Sequence, residues 1–445
     1  MIKFKVQQTT EKINNNGGLS LIGCLLKNAG ISKLLNKAKK IKSSEISEYD
    51  IVTSYLGLIC MGKTDFIEIE QYREDEFFKR MLDIKKVPSE ASLRQRLDNL
   101  GKVGQKILRK LFTLNISLLN RVELGSIKTK YMEYIPLDCD VTPMDNSGTN
   151  KEGCSYTYKN FDGFAPMMAY VGTNGYMLMN EFRIGKQHCQ KGTPHFLRQC
   201  VKACNRLGIK DKILLRMDSG NDAAENFEII NGNFWYIIKR NPRKEVLEQW
   251  LNHAKKSGKA EVIRDGKIRY VGRVSHLRPG GREDLPTTDV VVEVIEKTKD
   301  RNGNKLLIPE LKVNTFWTNL PEDTETIIYL YHQHGTSEQY HSEYKTEMGM
   351  ERLPSGKFKT NKIIMAIGCL VFNMLRKLGI DVLKNPDIMP AKYKVKRRRI
   401  RSILQDIIYS ACKYVKSKRM HFIKFGKHCP WFHVIAQLYG EYAHI

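Results

Sequence analysis

Residues 131–142, YMEYIPLDCDVT, decide the fold class. Before them the chain reads as helix. From Tyr131 onward, short apolar runs bounded by Gly, Asp or Asn take over, which is the texture of strands. A strand here brings Asp138 and Asp140 to one face, two residues apart. Acidic side chains in a strand are unfavourable unless they meet a ligand, a metal or solvent. Taken alone, the pattern also occurs in many edge strands.

On the N-terminal side, apolar positions recur at helical spacing in residues 19–38, 49–62 and 65–82. Pro88-Ser89-Glu90 opens a further helix, SEASLRQRLDNL, with Ser89 as its N-cap. Arg94, Gln95 and Arg96 on that helix suit a small DNA-docking module, and equally a solvated helix face. On the C-terminal side, strands are expected at 163–171, 175–183 and 212–217, with a helix at 195–207. A strand-rich block follows over 234–319: FWYIIKR, IRYVGRV, TDVVVEVIEK and KVNTFWTNL. Helices return at 325–348 and 361–378. The layout predicts an α/β core interrupted by a β-domain.

Composition bounds the partners. With 445 residues, two or three domains are expected. The chain is 41% hydrophobic and 27% charged, an ordinary globular balance, yet 74 Lys and Arg against 48 Asp and Glu leave +26. That excess points to a polyanion, nucleic acid before an anionic membrane surface. Residues 391–445 hold 13 Lys or Arg against Asp406 and Glu441, so 13 − 2 = +11 lies there. Within them AKYKVKRRRIR, with Lys396, Arg397, Arg398 and Arg399, leads into an expected helix over 400–419, placed to lie along a phosphate backbone.

No membrane partner is expected. The longest uninterrupted apolar run, Ile363 to Phe372, has 10 residues, against the roughly 20 needed to span a bilayer. The N-terminus lacks an apolar stretch of signal-peptide length, so the expected location is the cytoplasm. The 10 cysteines are irregularly spaced and need not pair. Cys200-x3-Cys204 with His188, Cys189 and His195 comes nearest to a metal knuckle, but buried thiols on a helix suit it better.

Two more segments carry chemistry. In KILLRMDSGND an apolar strand ends at Asp218, where α/β folds place ligand-binding groups; a turn-capping Asp fits equally. In residues 331–345, YHQHGTSEQYHSEYK, about 100° per residue puts Tyr331, Glu338 and Lys345 within roughly 60° of His334 on one helix face. That face can be an intrahelical salt bridge. It can also be a metal ligand with phosphate-touching neighbours. Together the segments suggest three hard oxygen ligands from two strands and a helix, the donor set Mg²⁺ prefers beside a substrate phosphate.

Tyr331-x2-His334-x3-Glu338-x6-Lys345 resembles the Y-R-E-K signature of bacterial DDE-class insertion-sequence transposases. The strings LDCDVTPMDNSGTNKEG, LLRMDSG, GTSEQYHSEYKTEMGMERLPSGKFKTN, KRRRIRSILQDIIY and FGKHCPWFHV are similar to the insertion-sequence family numbered 1380, as is the N-terminal stretch around GKTDFIEIEQYREDEFFKRML. The resemblance implies an RNase H-like catalytic core with a β-strand insertion, and a bacterial cytoplasm as the location, with the protein nucleoid-associated. It divides the chain into a helical DNA-binding region (1–125), first core part (126–233), insertion (234–320), second core part with the Glu helix (321–385) and basic C-terminal region (386–445).

The resemblance also implies that Asp140, Asp218 and Glu338 are the three catalytic acids, holding two Mg²⁺ or Mn²⁺ ions. Asp140 is preferred to Asp138 because the family's first acid is followed, after one residue, by Thr, here Thr142. Tyr331 and Lys345 would contact the DNA end. The signature's Arg is His334, which near its reference pKa of about 6.5 is only partly charged. Trp317 could stack on a flipped base, or be a core Trp at a strand end. The expected function is a DDE transposase that binds double-stranded DNA at terminal inverted repeats, cleaves it, and joins the 3′ end to target DNA as a homodimer. A catalytically silent DNA-binding derivative and a metal-dependent nuclease without strand transfer are the alternatives.

Overall fold

The computed structural model describes residues 3–37, 46–391, 395–418 and 420–444. It forms two compact units: residues 1–122 with 342–445, and residues 123–341. The expected break at 125 lies close to the first boundary, whereas the expected segment 321–385 runs across the second.

The first unit opens with the two-residue strand β1 (Ile13–Asn14) and helices α1 (Leu19–Ala29), α2 (Glu48–Cys60), α3 (Glu90–Lys102) and α4 (Gly104–Leu119). Ser89 caps α3 as its sequence predicts, accepting the Ser92 N–H. The expected helix over 65–82 is instead a 3₁₀ stretch, Phe66–Tyr72, and a short helix, Glu76–Met81. Asp65 and Asp75 accept backbone N–H groups at the starts of these pieces and so restart the chain twice.

The second unit is built on one mixed sheet. Its first strands are β2 (Glu133–Val141), β3 (Met167–Val171) and β4 (Tyr176–Glu181). Helix α5 (Thr193–Arg206) then leads to β5 (Ile213–Met217) and β6 (Trp235–Lys239). Helix α6 (Leu247–Ser257) precedes the long strands β7 (Lys259–Arg264), β8 (Lys267–Leu277), β9 (Thr288–Lys299) and β10 (Lys305–Thr318). The order is β7-β8-β9-β10-β6-β5-β2-β3-β4. β5 is parallel to both β2 and β6; β2–β3, β3–β4 and β6–β10 are antiparallel.

The strand-rich block expected as a separate β-domain therefore extends the core sheet. Ile237 of β6 pairs with Thr318 of β10, so hydrogen bonding continues from one into the other. β6 itself belongs to the core, parallel to β5. Beyond the sheet come α7 (Thr324–His332) and α8 (Thr336–Ser342). The single helix expected over 325–348 is broken by a 3₁₀ turn at Gln333–Gly335 and closes with a π-helical turn at Glu343–Glu347.

The chain then returns to the first unit with α9 (Phe358–Leu383), packed on α2, α3 and α4. By length and composition α9 could cross a membrane, contrary to the estimate from its longest apolar run, but its most apolar window is largely buried among its neighbours. Burial of a side chain such as Ile364, Leu370 or Phe372 contributes about 1.5–3 kcal/mol. The helix expected over 400–419 stops at Tyr409. Residues Cys412–Ser417 (β11) pair instead with Met420–Phe425 (β12), before α10 (Phe432–Ala443). The alternating, aromatic and β-branched text of CKYVKS favours a strand once a partner lies two residues away.

Candidate active site

Two adjacent parallel strands set the geometry. Asp138 of β2 lies opposite Arg216 of β5, and Cys139 opposite Met217. The next positions along each strand are Asp140 and Asp218, and the backbone at Asp218 is still extended. Side chains alternate, so Asp138, Asp140, Arg216 and Asp218 share one face of strands about 4.8 Å apart.

This face carries two rows with different electrostatics. In the inner row, buried Arg216 donates to both oxygens of buried Asp138, Nε at 2.6 Å and Nη2 at 2.7 Å. His334 Nδ1 lies 2.9 Å from Asp138 Oδ1, and Arg216 Nη1 donates to the Leu330 carbonyl at 2.7 Å. Burial works against ionisation of Asp138, but the Arg216 and His334 charges outweigh it and hold its carboxyl below the ordinary value. Burial likewise opposes the His334 cation, and Asp138 outweighs it, raising the imidazole above its ordinary value.

The outer row holds Asp140 and Asp218. Burial and then the Asp140 charge push the Asp218 carboxyl up, although Asn221 Nδ2 donates to its Oδ1 at 2.7 Å. For Asp140, burial is outweighed by His341, whose Nε2 sits 3.5 Å from Oδ2, and the carboxyl is held low. Burial, then the charges of this carboxylate pair, also raise the phenols of Tyr158 and Tyr331, so both lie in the field of the pair. Tyr158 donates to the Val141 carbonyl at 3.0 Å. After Asp218 the turn is crowded: a Cβ on Gly220 would meet Cys189 Sγ at 2.9 Å and Asp218 Oδ1 at 3.3 Å. Burial and the Asp218 charge raise the Cys189 thiol, which stays a donor to the Gly220 carbonyl at 2.9 Å.

Glu338 rides on α8, four residues after His334 of the 3₁₀ turn and three before His341. His334 reaches Asp138 and His341 reaches Asp140, so the helix is fastened to β2 on either side of Glu338. Glu338 itself is exposed. Among the described residues, no three His, Cys, Asp or Glu side chains are grouped closely enough to hold a metal ion, the Cys200–Cys204 segment included. Both of those thiols are buried on α5. Tyr331 packs its ring on Phe316, centroids 4.6 Å apart, and near His334 at 5.9 Å. Lys345 belongs to the other unit, with Nζ 3.7 Å from Glu351 Oε1.

The expected DNA-facing residues have varied placements. Arg94 is exposed, paired with Glu90 and set 5.5 Å over the Phe66 ring; Arg96 is half-buried. Of the basic run, Lys396 is exposed, while Lys392, Tyr393 and Lys394 lie outside the described residues. Arg397 pairs with buried Glu343, which Arg376 also reaches at 3.0 Å. Buried Arg398 pairs with Asp406 and lies 4.6 Å over the Trp431 ring. Arg399 pairs with Glu347 at 2.6 Å. Three of the four cations thus brace the protein itself.

Trp317 is buried, donating from Nε1 to Asp222 at 2.9 Å. Arg240 is sandwiched between the Trp317 and Trp250 rings, 5.0 and 4.8 Å from their centroids. These residues line a cavity of about 460 Å³ with Arg243 and Arg278. Sequence reasoning missed Arg216, His341 and Tyr158. Arg216 stands two before Asp218, as Asp138 stands two before Asp140, and that parallel spacing was the available signal.

The family model described as transposase DDE domain, group 1, matches residues 2–444. Among solved structures, the chain is similar to the cryo-electron microscopy structure of the piggyBac transposase synaptic complex with hairpin DNA. The identity is 11%, over 89% of this chain and 80% of that one, with a TM-score of 0.39. No curated protein matches the chain.

Proposed function

The chain belongs to the transposase DDE domain group 1 family, and from that premise we propose that it binds the terminal inverted repeats of an insertion sequence, of the family numbered 1380, cleaves the DNA and joins the freed 3′ ends to target DNA. The observation that carries this reading is the carboxylate pair Asp140–Asp218, with which no Lys or Arg pairs among the described residues, beside the neutralised pair Asp138–Arg216. The sheet around it has the order third-second-first-fourth-fifth, with the first strand antiparallel to the second and parallel to the fourth. That arrangement supports an RNase H-like core.

Asp140, Asp218 and Glu338 are the proposed metal ligands. The two strand carboxylates fit: half-buried, they raise each other's electrostatic energy, and a divalent cation relieves that repulsion. Glu338, not grouped with them in this structure, would complete the set. Two Mg²⁺ or Mn²⁺ ions, when bound, would activate the attacking oxygen and stabilise the leaving one. Asp140 suits the role better than Asp138, whose two oxygens are already engaged. His334 then anchors the Glu338 helix in place of gripping phosphate. Tyr331 and Tyr158 flank the scissile phosphate as neutral phenols. Lys345, Arg94, Arg96 and Lys396 are the remaining candidates for phosphate contact, with Arg399 once released from Glu347. Arg397, Arg398 and Trp317 act by bracing. Synapsis of two ends implies a homodimer on DNA.

A pair of variants tests the choice of first acid. Asp140→Asn should abolish Mg²⁺-dependent cleavage of DNA carrying the element's ends and leave the melting temperature near wild type. Asp138→Asn should instead lower the melting temperature, because it breaks a buried ion pair. Wild-type cleavage by Asp140→Asn would overturn the assignment.

A further inference from the structure

Arg397 and Arg398 of the basic run turn inward, so much of the outward charge of the C-terminal section lies elsewhere. It lies on the β11–β12 hairpin, Cys412 to Phe425. No acid occurs between Asp406 and Glu441. Lys416, Lys418, Lys424 and Lys427 are all exposed. Lys413 pairs with Glu11 at 2.7 Å, and among the described residues no ion pair engages those other four. Across the ladder Lys413 stands opposite Lys424, and Lys416 opposite His421. Lys413 and Lys424 bring like charges together across the ladder, which weakens a hairpin, and Glu11 pairs with Lys413 alone of the two.

Two exposed apolar side chains share the Lys424 face of the ladder, the face opposite to that of Lys416: Met420 is 61% exposed and Phe422 37%. β12 is the outer strand of the sheet β1-β11-β12. Lysines on an outer strand ordinarily guard against edge pairing, but a guard has no use for exposed Met420 and Phe422. A two-stranded ribbon fits the DNA major groove, about 12 Å wide, where lysines meet flanking phosphates and apolar side chains meet thymine methyl groups. We propose that the hairpin Cys412–Phe425 is a second DNA-contacting element, inserted in a duplex groove with Lys416, Lys418 and Lys424 on the backbone and Phe422 toward the bases. The proposal rests on the reading of the chain as a DNA-binding transposase.

The test is equilibrium binding of the full chain to a duplex carrying the element's end, across a salt series. The triple variant Lys416→Gln, Lys418→Gln, Lys424→Gln should bind more weakly, with its log–log salt slope shallower by about 2.7, or 0.9 per lost phosphate contact. Its melting temperature should match wild type, and the corresponding Lys→Arg triple variant should keep the wild-type slope. An unchanged slope in the Gln variant, with wild type binding DNA normally, overturns the hairpin alone. Failure of wild type to bind any duplex overturns the hairpin and the functional reading together. Loss of binding to phosphatidylserine vesicles with DNA binding intact would assign the surface to a membrane and overturn the proposal.

Discussion

Arg216→Ala should destabilise the sheet-containing unit by about 3–5 kcal/mol, the penalty for stripping one partner from a buried ion pair. Asp138 would keep only His334 as a partner for a carboxylate 4% exposed, and the Leu330 carbonyl would lose a 2.7 Å donor. For a unit of this size the melting temperature should fall by about 10 °C. The double replacement Arg216→Met with Asp138→Leu should recover part of that, because no buried carboxylate is left without its cation, although His334 and the Leu330 carbonyl still lose their partners. Urea unfolding of the four proteins measures the coupling. A single-variant loss below about 1 kcal/mol, in the range of an exposed pair, would show that the triad does not tie β2, β5 and the Glu338 helix together.

Asp218→Asn should have a large effect on chemistry, as Asp140→Asn should. Losing a metal ligand forfeits several kcal/mol of transition-state stabilisation, about 10³-fold in strand cleavage. DNA binding measured in Ca²⁺ should be equal or tighter, since a negative charge has left a site that faces phosphates. Stability should move the other way from activity. The Asp218 carboxyl is raised in the folded protein by burial and by Asp140, so its ionised form is destabilising at neutral pH. Wild type therefore gains stability as pH falls through that raised value towards the unfolded-state value near 3.9, and the Asn variant lacks this increment. Differential melting between pH 7 and 4 checks the sign.

What could be read in the sequence followed from local pattern. Alternation placed Asp138 and Asp140 on one face, and the strand end placed Asp218. Helical spacing put Glu338 beside His334 on one continuous helix, where His334 instead sits in a 3₁₀ turn ahead of the Glu338 helix. The rest depended on partners distant in the chain. Arg216 neutralises Asp138 across 78 residues, which no window of either strand contains. The same is true of the basic run: Arg397 and Arg399 look free in sequence, yet Glu343 and Glu347 on the π-helical turn engage them. The expected β-domain merged with the core because β10 runs long enough to pair β6 with its last residues. The C-terminal helix became a hairpin because β12 was there to pair with. In each case tertiary pairing overrode a reasonable local reading.

The central claim is that Asp140, Asp218 and Glu338 carry metal-dependent cleavage and joining of the element's own ends. The most direct measurement is a Mg²⁺ assay on a plasmid bearing the gene's flanking DNA, comparing wild type with Glu338→Gln. Wild type should give cuts at the repeat ends and joined products, the variant neither, and both should bind DNA equally. Binding without cleavage by wild type, or cleavage that survives Glu338→Gln, would contradict it.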